Sequence, residues 1–222
     1  SGVDVIDRGG AFSATLAADP AAGYQLPETI AVTMGGVSLA AGEGYTYSKT
    51  TGEVNIASVT GDVTITAEGV PIPAIAPSIT TQPAPETEMT AGEISGSLTV
   101  AATAEAGHSL SYQWYQTRSA DAEGEAVAGA TGSSFTLPED LTSGTYYYYC
   151  VVKAVRDENG KTANTKSRAA EITVQNKVIY NLTHLGKNAD APQAISNGET
   201  LTVTLAVTAT HSLPETIAVT MG

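Results

Sequence analysis

The chain has 222 residues, only 6% of them aromatic, with 22 glycines and a formal charge of −13 from 23 acidic and 10 basic side chains. That balance leaves no basic patch to neutralise phosphates, so nucleic acid is a poor partner and anionic membrane surfaces are disfavoured. A single cysteine excludes an intramolecular disulfide, and no apolar run reaches the roughly 20 residues that a membrane helix needs.

Residues 1–69 read as a first module. Phe12-Ser13-Ala14-Thr15-Leu16 alternates apolar and polar positions, as a half-buried strand does. Ile30-Ala31-Val32-Thr33-Met34 repeats the alternation and ends at Gly35-Gly36. Tyr45-Thr46-Tyr47 and Val54-Asn55-Ile56 flank Lys49-Thr50-Thr51-Gly52, a hairpin turn. Thr60-Gly61-Asp62 then turns the chain into Val63-Thr64-Ile65-Thr66. The pattern predicts about five or six strands and shows no helical periodicity.

Residues 70–85 hold five of the ten prolines. Proline fixes φ and donates no backbone hydrogen bond, so the stretch is expected to be extended and stiff. Residues 70–77 read as a linker, and the rest as the approach to the next domain.

Residues 78–176 make a second module. Leu98-Thr99-Val100 is a strand, and Leu110-Ser111-Tyr112-Gln113-Trp114-Tyr115 places Leu110, Tyr112 and Trp114 on one face. Ser134-Phe135-Thr136-Leu137 is followed by a long strand containing Tyr146-Tyr147-Tyr148-Tyr149-Cys150. Asn159-Gly160 signals a type I′ hairpin, and Glu171-Ile172-Thr173-Val174 closes the domain. Parity within the tyrosine run turns Tyr146, Tyr148 and Cys150 inward. Tyr147 and Tyr149 then face outward, beside Gln113 and Tyr115.

Residues 177–222 start a repeat. Leu26-Pro27-Glu28-Thr29-Ile30-Ala31-Val32-Thr33-Met34-Gly35 returns letter for letter as Leu213-Pro214-Glu215-Thr216-Ile217-Ala218-Val219-Thr220-Met221-Gly222. Val178-Ile179-Tyr180-Asn181-Leu182 reads as a strand without a counterpart in the first copy. Leu201-Thr202-Val203-Thr204-Leu205 corresponds to residues 12–16. The first copy is therefore expected to lack its first strand or strands and the second its end, as in a stretch of a longer protein. A monomer is expected. Strand exchange between molecules through the shared repeat is the alternative, because an incomplete sheet exposes an edge.

Through Tyr112-Gln113-Trp114-Tyr115, residues 145–150 and the spacing between them, residues 78–176 resemble an immunoglobulin-like domain of the bacterial surface type. The resemblance implies that Trp114 is the central core tryptophan, that Cys150 is the second cysteine of the fold, and that Tyr148 is its corner tyrosine. The first cysteine would fall near Val100 or Ala102, so the disulfide is missing and Cys150 is expected to be a buried apolar thiol. The repeat module resembles modules of large surface proteins of gut Firmicutes, through the shared decamer and Val59-Thr60-Gly61-Asp62-Val63-Thr64-Ile65-Thr66-Ala67. The expected fold class is all-β, with tandem antiparallel β-sandwich modules of immunoglobulin type. A ubiquitin-like β-grasp for the repeat is disfavoured by the lack of a long helical stretch.

No catalytic constellation, metal-ligand spacing or cofactor fingerprint is read in the chain. His108, His184 and His211 stand apart from one another and from cysteine. Asp121-Ala122-Glu123-Gly124-Glu125 lacks the spacing of a calcium loop and reads as a solvated acidic loop. Leu-Pro-Glu-Thr is followed by isoleucine rather than glycine in both copies, which argues against a cell-wall sorting signal and for the start of a strand. Asn181-Leu182-Thr183 is a sequon without expected consequence.

The one candidate binding face is Tyr115, Tyr147 and Tyr149, which as an outward platform would stack on a glycan or contact a host or matrix protein. An outward tyrosine is also simply a good strand former. The composition and the resemblances lead to an extracellular, non-catalytic stalk or adhesin segment of a bacterial cell-surface or secreted protein. An accessory module of a secreted glycan-degrading enzyme and a phage or virion decoration domain are the alternatives.

Overall fold

The computed structural model describes residues 5–179, 185–187, 194–196, 198–203 and 205–207. The described chain is built of strands, with one short 3-10 turn at Pro20–Ala22. None of its helices is long and apolar enough to cross a membrane. Two compact units are present. The first contains the described residues up to 77 together with 104–110 and 153–164, and the second contains 78–103, 111–152 and the described residues from 165 onward.

In the first unit the strands are β1 (Phe12–Thr15), β2 (Tyr24–Gln25), β3 (Ala31–Met34), β4 (Val37–Ser38), β5 (Thr46–Tyr47), β6 (Glu53–Ile56), β7 (Val63–Thr66) and β8 (Val70–Pro71). They form two three-stranded antiparallel sheets, β1-β6-β5 and β4-β3-β7, and a short β2-β8 pair. Alternation buries every second residue: Val54 and Ile56 from β6 meet Val32 from β3, with Ile30, Tyr45 and Val59 completing the core. The Tyr45 hydroxyl donates to Ile30 O at 2.7 Å and the Tyr47 hydroxyl to Pro27 O at 3.0 Å, joining the two sheets.

The described residues 5–69 thus contain seven strands rather than five or six. The addition arises because Gly35 and Gly36 do not merely end β3. Both have positive φ, 57° and 81°, and they make the two-residue turn of a β3–β4 hairpin that pairs Met34 with Val37. The start of the segment expected to be a linker is itself strand β8, which pairs with β2.

The strands from residue 78 onward are β9 (Ser78–Thr81), β10 (Glu86–Thr90), β11 (Ser97–Thr99), β12 (Ala101–Thr103), β13 (His108–Thr117), β14 (Glu125–Ala126), β15 (Ser134–Thr136), β16 (Gly144–Arg156), β17 (Thr162–Lys166) and β18 (Ala170–Lys177). One sheet runs β10-β18-β16-β13-β14, with β17 also on β16, and β9-β12 and β11-β15 pair opposite it. This is the strand order of an immunoglobulin-like sandwich whose first strand divides between the two sheets. The two layers meet at Trp114, which stacks on Phe135 with ring centroids 5.7 Å apart, and at Tyr148, 5.1 Å from the same Phe135. Leu98, Val100 and Leu137 from one side and Cys150, Val152, Ile172 and Val174 from the other fill the rest.

Two expectations for this region are corrected. The sandwich is not wholly antiparallel: β10 runs parallel to β18, with Thr87 opposite Ile172 and Met89 opposite Val174. The 82–85 segment, with Pro83 and Pro85, carries the chain from β9 across to β10 in the other sheet. The hairpin at Asn159-Gly160 is present, but its loop is longer than a two-residue type I′ turn. Arg156 N donates to Lys161 O and Gly160 N to Arg156 O, each at 2.8 Å, enclosing Asp157 to Gly160.

Strand β18 ends at Lys177, so Val178 and Ile179 are not strand, and the rest of that expected strand lies outside the described residues. Leu201, Thr202 and Val203 are not strand either. The nearby strand is β21 (Leu205–Val207), which pairs with β19 (Leu185–Lys187), while β20 (Ala194–Ile195) pairs with β18. His184, His211, the sequon at Asn181 and the second decamer lie outside the described residues.

Candidate functional site

The candidate face is the outer side of the β18-β16-β13 sheet. Strand parity in β16 turns Tyr148, Cys150, Val152 and Ala154 into the core, each at most 1% exposed. Tyr147 and Tyr149 therefore project from the opposite side. Trp114, Tyr148 and Cys150 all lie in the core.

Tyr149 does not form an exposed platform. It is 5% exposed, because three groups close over it. Tyr115 stacks on its ring at 5.1 Å and 6° between planes, and Lys166 Nζ sits 3.8 Å from the ring centroid. Its hydroxyl accepts the N–H of Gly124 at 3.0 Å. Gly124 can lie there only because it lacks a side chain: a Cβ would stand 2.4 Å from Gln116 O. The acidic loop around Gly124 is pinned further by the buried Thr117 hydroxyl, within 3.2 Å of the Ser119 and Ala122 carbonyls. Gln113 is also committed, donating from Nε2 to Trp114 O and Val127 O at 2.9 and 2.8 Å.

Tyr147 is half-buried and pairs across the strands with Glu171, which in turn stands opposite Glu86 on β10. Desolvation raises the Tyr147 phenol above its ordinary range, and the Glu171 charge and a hydrogen bond to Glu171 raise it further. The row is acidic and internally paired. Of the three tyrosines, Tyr115 and Tyr149 are brought together, while Tyr147 keeps company with carboxylates.

The corner tyrosine is Tyr146 rather than Tyr148. The Tyr146 hydroxyl donates to Thr142 O at 3.0 Å, four residues upstream, as a corner bond does. Tyr148 is too deep for that: it is 1% exposed, and its hydroxyl is the one buried side-chain polar atom without a hydrogen-bond partner among the described residues. The parity signal marks both tyrosines as inward, and it is the depth below the loop that separates their roles.

Among the described residues no group of three or more His, Cys, Asp or Glu side chains is placed to hold a metal ion. His108 is engaged by the backbone, its Nε2 accepting the N–H of Ile75 at 3.2 Å. A concavity of about 410 Å³ in the first unit is walled by Leu16, Tyr24, Pro27 and Glu68, with the Tyr24 ring laid against Gly69. It brings together no nucleophile and base.

Burial pushes the Cys150 thiol from its ordinary value of 9.0 up to about 11. The thiolate is the nucleophile, so the folded chain is expected to resist alkylation at pH 8 and to react once denatured. Labelling with and without denaturant, read by mass, checks this, and rapid native labelling would contradict the buried placement. The sign of the linkage follows from the raised value. The neutral thiol's contribution to stability is complete below about pH 9 and is lost as pH rises towards about 11.

No protein-family model and no curated protein matches the chain. Among solved structures it is similar to Sidekick-1 immunoglobulin domains 1-5, at 14% identity and a TM-score of 0.31, covering 83% of this chain and 40% of that one. It is similar to the tandem Ig repeats of Dlar at 17% identity and a TM-score of 0.32, covering 77% of this chain and 91% of that one. The fibronectin(III)-like modules of Clostridium thermocellum CbhA show 12% identity and a TM-score of 0.32, covering 79% and 93%.

Proposed function

We propose that this chain is a non-catalytic spacer segment of a bacterial cell-surface or secreted protein, working outside the cell. Its sandwich modules hold other parts of the protein at a distance. The observation that carries this reading is the closure of the Tyr149 face. Tyr149, the residue that would centre a ligand platform, is covered by Tyr115, Lys166 and the Gly124 backbone, so the sheet spends that aromatic surface on itself. The net acidity, the copied decamer and the resemblance of the repeat to surface-protein modules support the same reading.

The test is an array of glycans and matrix proteins probed with the purified chain, with Tyr115→Ala and Tyr147→Ala as controls because both side chains are partly accessible. No saturable binding up to high micromolar concentration is expected. Saturable binding that either substitution weakens would overturn the passive reading and make the chain an adhesin or a glycan-binding accessory module.

A further inference from the structure

We infer that residues 72–75 are a docked strap rather than a free linker, latched by the side chains of Asn159, Arg156 and His108. All of these groups belong to the first unit. The inference does not depend on the spacer reading, since a ligand-binding chain would carry the same latch.

The latch is built around the end of the β2-β8 ladder, where Tyr24 pairs with Pro71. One step further, Ile72 N donates to Gly23 O at 2.8 Å. The Asn159 side chain then spans both strands, its Nδ2 donating to Gly23 O at 2.7 Å and to Ile72 O at 2.8 Å. Its Oδ1 accepts the N–H of Lys161 at 3.0 Å, which fixes the amide's orientation. An amide suits this place because only its nitrogen carries two donors for two carbonyls while its oxygen stays an acceptor. Next along the strap, Arg156 Nε reaches Pro73 O at 3.4 Å, and Ile75 N donates to His108 Nε2.

The proline content makes this arrangement necessary. Pro71 and Pro73 have no N–H, so the strap cannot hold itself by a regular ladder. Side chains supply the missing donors to its carbonyls instead. Gly23 is fitted to the latch twice. Its φ is +78°, and a Cβ would lie 2.8 Å from Asn159 Nδ2.

The experiment is hydrogen exchange on the full chain, comparing the native protein with Asn159→Asp and His108→Leu. Asn159→Asp keeps the size but places a carboxylate against two carbonyl oxygens. The amide of Ile72 is expected to exchange about tenfold faster or more in Asn159→Asp, and that of Ile75 likewise in His108→Leu, while the amides of Val54 and Ile56 stay unchanged. His108→Gln, which keeps an acceptor, is expected to restore part of the protection at Ile75. Unchanged exchange at Ile72 and Ile75 would overturn the latch. So would an equal rise at Val54 and Ile56, because the substitutions would then be loosening the whole unit.

Discussion

Trp114→Ala is expected to destabilise the immunoglobulin-like module by about 4 kcal/mol, the middle of the range for emptying a buried tryptophan site. The side chain is fully buried and stacks on Phe135, and its Nε1 donates to Gly132 O at 2.9 Å. Removal leaves a cavity between the two sheets and an unpartnered carbonyl. No disulfide bridges the layers, since the chain has one cysteine. Domains of this size are stable by only about 5–15 kcal/mol, so the loss consumes a large share of the total. Urea unfolding followed by far-ultraviolet circular dichroism measures it, the substitution having removed the only tryptophan. Trp114→Phe keeps a ring against Phe135 and should lose about half as much. A loss below about 1 kcal/mol in Trp114→Ala would show that the sandwich is not centred on this residue.

Gly52→Ala is expected to destabilise the first unit by roughly 3–4 kcal/mol, combining left-handed backbone strain with a forced shift of packed chain. Gly52 has a φ of +76°, and a Cβ there would stand 2.0 Å from Leu16 O, a backbone atom that cannot swing aside. The same carbonyl lies at the end of β1, where Leu16 N donates to Gly52 O at 2.9 Å, so relieving the clash also breaks that bond. Gly42→Ala, in the same unit, is the control. Its φ is +84°, but nothing lies within 4 Å of the added atom, so only the backbone strain of about 1–2 kcal/mol should appear. Thermal unfolding of the two variants separates the terms. Equal losses would mean that the approach of β1 to the turn contributes nothing.

Several features are visible in the residues themselves because they depend on local periodicity. The period of two along Tyr146-Tyr147-Tyr148-Tyr149-Cys150 puts Tyr146, Tyr148 and Cys150 on one face, and along 110–114 it puts Trp114 on one face with Leu110 and Tyr112. Turn chemistry is equally local: Gly52, Gly35-Gly36 and Asn159-Gly160 fall at chain reversals, because positive φ is open to glycine at little steric cost. The hairpin reading missed the β3–β4 turn at Gly35-Gly36, which reads in the sequence only as the end of a strand, and the loop length at Asn159-Gly160, which depends on how β16 and β17 register rather than on the dipeptide.

The candidate face shows where such reasoning ends. Parity says that Tyr149 leaves the core, but parity knows only the two sides of one sheet. Whether the outer side is wet depends on Tyr115 from β13, Lys166 from β17 and Gly124 from a loop, up to 34 residues away in sequence. The choice of corner tyrosine rests likewise on depth beneath the loop at Thr142, which two residues of equal parity do not reveal.

Composition, periodicity and turn residues by themselves determined an all-β chain, the inward parity of Tyr148 and Cys150 and a copied decamer, because each follows from interactions between near neighbours or from a count; a sandwich centred on Trp114 was what the resemblance to an immunoglobulin-like domain implied. Only the tertiary structure decided that β10 runs parallel to β18, that Tyr149 is covered, and that a proline-rich segment is held by Asn159. Each of these depends on groups distant in sequence meeting to satisfy a carbonyl, an amide or a ring face, and no local pattern records such meetings.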